Sequence, residues 1–314
     1  MQLNTPNFQI ISTLRYDPEL SRSPHIPGSY PSPKNSPYYL LSYHLDRLLA
    51  AALDFQWPAT IALLQQQPRE TVLTQLTQKF NEHTSSDPAH PWRLRILLDA
   101  TGVLTVEAVP IISTPPLPAS ILVLPGEKPD FSSLLSAFSS ERNEVPPEFS
   151  TEGRRIETWT LRIDNQPTNP SLFTRHKTTA REHYNASRLR AGITSPHDKT
   201  EVLIYNPAGE VMEGSITSVY FRRRRRRAPG PSVVTDVLGS GDPDDSYYWV
   251  TPPLASGGNA GTSRRYALAA GMCVEEVVTV EELREWEGET GGDEVRVWLS
   301  NGVRGFMPAV LTFT

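Results

Sequence analysis

Two stretches, FTRHKTTAREHYNASRLRAG (residues 173–192) and EVLIYNPAGEVMEGSITSVYFR (residues 201–222), decide how this chain reads. The first starts as a short extended piece and becomes a helix ending near Gly192. The second is a hairpin, two strand-like runs around Asn206-Pro-Ala-Gly, and its second strand carries Glu213. Lys177 by itself suits a solvated surface lysine. It also suits a desolvated amine whose lowered pKa lets the neutral form attack an aldehyde. Glu213 sits in an otherwise apolar and small-residue run, VMEGSITSVYF, where a charge is a poor inward-facing occupant unless it is paired. Either it faces water, or it faces a protonated ring nitrogen that it keeps charged.

Working outward, FQIISTLRY (residues 8–16) reads as a strand, and Pro18 to Pro37 as a Pro/Ser/Gly-rich surface loop. In YYLLSYHLDRLLAAALDF (residues 38–55) the leucines Leu41, Leu45, Leu48, Leu49 and Leu53 recur at helical spacing. A second helix is expected from about Glu70 to His83. WRLRILLDATGVLTVEAVPI (residues 92–111) is expected to be a hairpin turning at Asp99-Ala-Thr-Gly. Pro, Ser and Glu dominate from about Pro115 to Glu152, with one strand expected at Ile121 to Leu124. The join between two domains is placed there: a small N-terminal domain over residues 1–140 and a larger one over 150–314.

The second domain opens with a strand in IETWTLRI and contains the two stretches quoted above. Arg222 to Ser246 then reads as a long, mobile insertion between two paired strands, with YYWVTPPL resuming the sheet. A helix from Gly261 to about Gly271, an edge strand CVEEVVT, a short helix EELREWE and a final pair of strands complete the chain. No internal repeat is present.

Composition narrows the classes. The chain has 314 residues, 38% of them hydrophobic, a formal net charge of -5 and one cysteine, Cys273. A sizeable core is affordable, and no intrachain disulfide or cysteine metal cluster is possible. Cys273 lies in an apolar pattern and reads as a buried structural thiol. Met1 to Ile11 lacks the basic start and apolar run of a secretory signal, and no apolar run approaches a membrane span. The expectation is a soluble cytoplasmic protein with no membrane partner. Six consecutive arginines, Arg222 to Arg227, suggest weak, salt-dependent polyanion binding or merely a solvated loop. No nucleic-acid-binding motif accompanies them, and the acidic tract Asp242 to Asp245 follows closely, so nucleic acid is not expected as a partner.

The segment TPPLASGGNAGTSRR (residues 251–265) adds a Gly/Ser-rich turn running into a helix, an arrangement whose amides and hydroxyls can receive a phosphate ester. Many such turns bind nothing. In their order, however, these segments resemble the class IV aminotransferase family, the fold-type IV pyridoxal-phosphate enzymes, over nearly the whole chain. The resemblance implies an α/β (α+β) fold of two domains, the larger with a barrel-like sheet, and a homodimer. It also implies a pyridoxal 5'-phosphate cofactor held at Lys177 as a Schiff base, with Glu213 at the ring nitrogen. His44-Leu-Asp-Arg47-Leu resembles the helix whose arginine reaches the cofactor phosphate. Thr262 and Ser263 fall where backbone amides bind that phosphate. Asn301, with an apolar residue two places on and then Gly305, resembles the last site segment of aminodeoxychorismate lyases, and KTTAREHYNASR is similar to the fungal form.

Two departures stand out: Gly302 where those lyases usually carry serine, and Ser218 where many members have asparagine. Tyr184 lies seven residues past Lys177, not at the transaminase tyrosine spacing, so that role is not transferred. The implied reaction converts aminodeoxychorismate to 4-aminobenzoate and pyruvate. A class IV aminotransferase acting on branched-chain or D-amino acids or amines shares its first steps, and a non-catalytic module of the same fold is the remaining reading. Either enzyme takes a small-molecule amine substrate. Arg15, Arg175, Arg181 and Arg304 are the candidates for binding a substrate carboxylate.

Overall fold

A computed structural model of the chain describes residues 7–22, 29–66, 69–83, 90–111, 158–195, 198–224, 247–289 and 295–313. The strand expected at Ile121 to Leu124 and the domain join lie outside the described residues, as does most of the insertion.

The N-terminal part is a three-stranded antiparallel sheet, β1 (Ile10–Tyr16), β2 (Trp92–Leu98) and β3 (Leu104–Pro110), with β2 in the centre. The turn between β2 and β3 is the expected one. Asp99 closes it by accepting the backbone N–H of Thr101 at 2.9 Å and of Val103 at 3.0 Å. Three helices accompany this sheet: α1 (Leu41–Asp54), α2 (Pro58–Gln65) and α3 (Arg69–His83). Leu41, Leu45, Leu48 and Ala52 of α1 form one buried stripe with Leu14, Leu94 and Ile96. Each large side chain buried this way stabilises the fold by roughly 1.5–3 kcal/mol. Leu53, expected on that stripe, is instead 45% exposed. The residues that follow the 41, 45, 48 spacing are Ala51 and Ala52, and Leu53 lies a further 100° round the helix. The helix α2 was not anticipated: PATIALLQ is short, and Pro58 at its start is the one helix signal it carries.

The C-terminal part is an eight-stranded sheet in the order β6-β5-β4-β11-β10-β7-β8-β9. Its strands are β4 (Trp159–Ile163), β5 (Thr200–Tyr205), β6 (Val211–Gly214), β7 (Ser218–Arg224), β8 (Tyr247–Thr251), β9 (Val274–Glu275), β10 (Val295–Asn301) and β11 (Gly305–Thr312). Helices α4 (Leu172–Arg175), α5 (Glu182–Arg190), α6 (Thr262–Ala269) and α7 (Val280–Glu289) surround it. Leu161, Leu203, Val219, Phe221 and Leu299 line one core, against which Leu283 of α7 packs. Cys273 is buried in a second, tyrosine-rich core with Tyr220, Tyr266 and Trp298.

One correction concerns the run VMEGSITSVYF, expected as a single strand. It is two strands, β6 on one edge of the sheet and β7 beyond β10, joined by a corner at Ser215–Thr217. The carboxylate of Glu201, wholly buried, holds that corner: it accepts the Ser215 hydroxyl at 2.6 Å, the Thr217 hydroxyl at 2.9 Å and the Ile216 N–H at 3.1 Å. A Cβ on Gly214 would come within 2.3 Å of the Thr217 hydroxyl and 3.0 Å of Glu201, so the corner closes only over glycine. The sheet curls because of it. A second correction concerns Arg222 to Arg224, read as part of a solvated insertion. They continue β7 and pair with Trp249, Tyr248 and Tyr247 of β8. Arg223 is held by Glu276 and Glu282, which removes the charge cost of putting it there.

The two parts meet along the free edge of β1. Ile11 donates its N–H to the Lys177 carbonyl at 2.8 Å, and Arg15 donates to the Gly302 carbonyl at 2.9 Å. A strand edge that would otherwise stand open is thereby used to seat two distant segments side by side.

Candidate active site

Lys177 follows α4, a single turn fixed by a capping box in which the Ser171 hydroxyl accepts the Phe173 N–H at 3.2 Å and the Thr174 hydroxyl accepts the Ser171 N–H at 3.0 Å. The chain then extends along β1, with Thr179 N–H to the Gln9 carbonyl at 2.9 Å, while His176 Nε2 lies 2.7 Å from the Asp54 carboxylate. The backbone is thus fixed on both sides of Lys177. Lys177 is half-buried as a residue, and burial dominates the surroundings of its amine. Burial first, and then the charges of Arg47 and Arg181, hold it well below the ordinary lysine range; Glu213 works in the opposite direction. The amine therefore gives up its proton more readily than an ordinary lysine.

Glu213, on β6, is likewise half-buried as a residue. Burial pushes its carboxyl up to about 7, although the Tyr184 hydroxyl, Arg181 and the Asn259 backbone N–H favour the ionised form. Tyr184 donates to Glu213 Oε1 from α5, with the Thr174 carbonyl 3.2 Å from the same hydroxyl. Arg181 lies over the Tyr184 ring at 4.8 Å and donates to the Ser215 carbonyl at 2.8 Å. A carboxylate with two donors but no ion-pair partner among the described residues can receive a cationic heteroatom.

At the other end, Arg47 projects from α1 and donates to the Ser12 hydroxyl at 2.7 Å. Its Nε is buried with no hydrogen-bond partner, and no carboxylate among the described residues lies within ion-pair distance of it. Burial pushes this guanidinium down to about 10. The N-terminus of α6 adjoins it through Thr262 and Ser263, both about 1% exposed. Ser263 accepts the Ser300 hydroxyl at 2.8 Å. A half-buried arginine whose Nε is enclosed and which has no carboxylate partner among the described residues, beside helix N-terminal amides, can receive an anion of phosphate type.

The predicted residues Lys177, Glu213, Arg47, Thr262 and Ser263 thus fall around one site. Asn301 adjoins it in a different capacity: its Oδ1 accepts the N–H groups of Val303 at 3.0 Å and Arg304 at 2.8 Å, shaping the turn at Gly302. Of the four arginine candidates, Arg15 is buried in an ion pair with Asp17 at 2.8 Å, and Arg175 faces Asp54 from the surface at 3.9 Å. Arg181 borders the site. Arg304 lies 5.3 Å from the Trp159 ring with no acidic partner among the described residues. Residue-by-residue reading missed Tyr184, Glu201 and His44 as neighbours of the site. A glutamate in the apolar run EVLIY was the one available signal for Glu201; the others depend on tertiary neighbours.

Comparison with known proteins gives the family. A family model described as amino-transferase class IV matches residues 33–311. Aminodeoxychorismate lyase of Saccharomyces cerevisiae is 29% identical over 227 residues, a match covering 68% of this chain and 50% of the yeast protein. The chain therefore spans about half the length of that relative. Among solved structures, a Mesorhizobium loti protein assigned as an amino-acid aminotransferase matches at TM-score 0.57 and 20% identity, covering 98% of this chain and 100% of the other. A Thermotoga maritima protein assigned as a branched-chain amino acid aminotransferase gives 0.53 at 18% identity, covering 97% and 76%. A Legionella pneumophila protein assigned as a 4-amino-4-deoxychorismate lyase gives 0.53 at 10% identity, covering 96% and 82%. At these identities the structural likeness speaks to the fold.

Proposed function

The chain belongs to the class IV aminotransferase family, and from that premise we propose that it converts 4-amino-4-deoxychorismate to 4-aminobenzoate and pyruvate. The family is one of pyridoxal-phosphate enzymes, lyases and aminotransferases, and the residues present fit that cofactor. Arg47 with its unpartnered Nε, Thr262 and Ser263 would hold the phosphate, Glu213 the ring nitrogen, and Lys177 the aldehyde carbon. The turn made by Asn301 would border the phosphate end. When bound, the cofactor supplies an electron sink for negative charge developing on the substrate.

The protein's part is positioning and proton transfer. Glu213, steadied by Tyr184 and the Asn259 N–H, keeps a positive charge favourable opposite it. Lys177, whose desolvated amine favours the neutral form more than an ordinary lysine does, takes the proton from the amine-bearing ring carbon of the substrate. The enolpyruvyl ether bond then breaks, pyruvate departs after its enol carbon gains a proton, and the ring becomes aromatic. Arg181 and Arg304 offer positive charge to a substrate bearing two carboxylates.

The observation that carries the choice of lyase is the 29% identity to the yeast enzyme over 227 residues. No helix among the described residues is long and apolar enough to cross a membrane, and we extend the proposal to a cytoplasmic homodimer. The test is to incubate the protein with aminodeoxychorismate and, separately, with amino-acid and keto-acid pairs. Equal amounts of 4-aminobenzoate and pyruvate are expected. Amino exchange without 4-aminobenzoate would make it an aminotransferase, and inactivity towards both would favour a binding module.

A further inference from the structure

The hydrogen bonds behind the phosphate end run in one direction. Arg47 can only donate, and its NH2 group does so to the Ser12 hydroxyl at 2.7 Å. Ser12 Oγ lies 2.8 Å from His44 Nδ1, leaving its one hydrogen for that nitrogen. His44 Nε2 lies 3.3 Å from the Thr262 hydroxyl. If Nδ1 accepts, Nε2 carries the hydrogen and donates to Thr262. The Thr262 hydroxyl hydrogen is then free for another acceptor at the start of α6. A parallel series ends at the neighbouring residue, with Tyr220 and Ser300 at 2.7 Å and Ser300 donating to Ser263 at 2.8 Å. His44 is also what fills the space over Gly302. A Cβ at 302 would come within 2.7 Å of its Cε1, 2.9 Å of its Nε2 and 2.9 Å of the Thr13 carbonyl.

We infer that His44 is a positioning residue for the cofactor phosphate: its imidazole links Arg47 and Ser12 to Thr262, aims the Thr262 hydroxyl at the anion, and occupies the place a side chain at position 302 would take. The imidazole is wholly buried, and burial with the Arg47 and Lys177 charges keeps it neutral, as one accepting and one donating nitrogen requires. The inference rests on the pyridoxal-phosphate reading of the site but not on which reaction follows.

The test uses the full-length chain, stripped of cofactor and titrated with pyridoxal phosphate, with pyridoxal lacking the phosphate, and with inorganic phosphate as competitor. His44→Ala should weaken pyridoxal phosphate and inorganic phosphate about tenfold, the scale of one lost hydrogen bond to a charged group, and leave pyridoxal within about twofold. His44→Asn, which can still reach Ser12 but not Thr262, should show the same selective loss and serves if the alanine variant does not fold. Gly302→Ser alone should weaken binding by forcing His44 away, and the double variant His44→Ala/Gly302→Ser should recover part of it. Nitrogen NMR of wild-type His44 should show the hydrogen on Nε2. Equal losses for pyridoxal and its phosphate, no loss at all, a neutral Gly302→Ser, or hydrogen on Nδ1 would each overturn the assignment. A wild-type chain with no preference for the phosphorylated compound would overturn the cofactor reading with it.

Discussion

Position 213 shows what burial does to an ordinary side chain. Glu213 is pushed up to about 7 by burial, so the folded chain without cofactor holds a proton there that the unfolded chain releases near 4.5. Between those values the folded state binds more protons, and its stability falls as pH rises through the window. Glu213→Gln removes that dependence. Denaturant unfolding of the cofactor-free protein should show the wild type losing up to roughly 3 kcal/mol more than the variant between pH 4.5 and 7. Lys177 carries the opposite sign. Its amine sits well below the ordinary lysine range because of burial, so keeping it charged in the folded chain costs stability at any pH below the unfolded value, and that cost fades as the pH rises towards it. Lys177→Met should therefore raise the melting temperature of the cofactor-free protein at neutral pH while eliminating turnover. An unchanged or lower melting temperature would place the amine in water. Their sequence surroundings left each residue with two readings, and only the resemblance to the family chose between them. Tyr184, the partner of Glu213, was not legible: it lies 29 residues away, and only the packing of α5 against β6 brings the hydroxyl to the carboxylate.

Among the elements, those built on repetitive pattern were the most readable. The β2–β3 hairpin and α1 follow directly from alternation, turn chemistry and helical spacing. The break between β6 and β7 was hidden because Ser215, Ile216 and Thr217 are themselves good strand residues; what turns the chain is the Glu201 carboxylate on β5. Glu201→Ala should strip that corner of its acceptors and destabilise the protein by about 2–4 kcal/mol. Glu213 should be displaced with it, so cofactor affinity should fall more than global stability alone explains. An intact affinity in the folded variant would show that the corner does not position Glu213. At β7, the sheet pairing through Arg224 defines where an excision can begin. Removing residues 225–246 and joining Arg224 to Tyr247 by a short turn should leave the β7–β8 pairing and turnover near wild type. Loss of soluble expression would contradict this.

Over the whole molecule, a single strand organises the site. β1 bonds the Lys177 carbonyl through Ile11 and the Gly302 carbonyl through Arg15, and its Ser12 side chain engages Arg47. The lysine, the anion end and the small sheet are thereby fixed relative to one another, and the curl of the large sheet brings Glu213 to them. Cofactor binding should consequently stabilise both parts together, by about 2.7 kcal/mol at a hundredfold excess over Kd, in one cooperative transition. Two separate transitions, only one of them shifted, would contradict that coupling. The central claim remains the attachment of pyridoxal phosphate at Lys177. It is tested most directly by borohydride reduction of the purified holoprotein, proteolysis and mass mapping. The account predicts a phosphopyridoxyl group on Lys177 and its absence from the Lys177→Met variant. A label on another lysine, or on none, would contradict it.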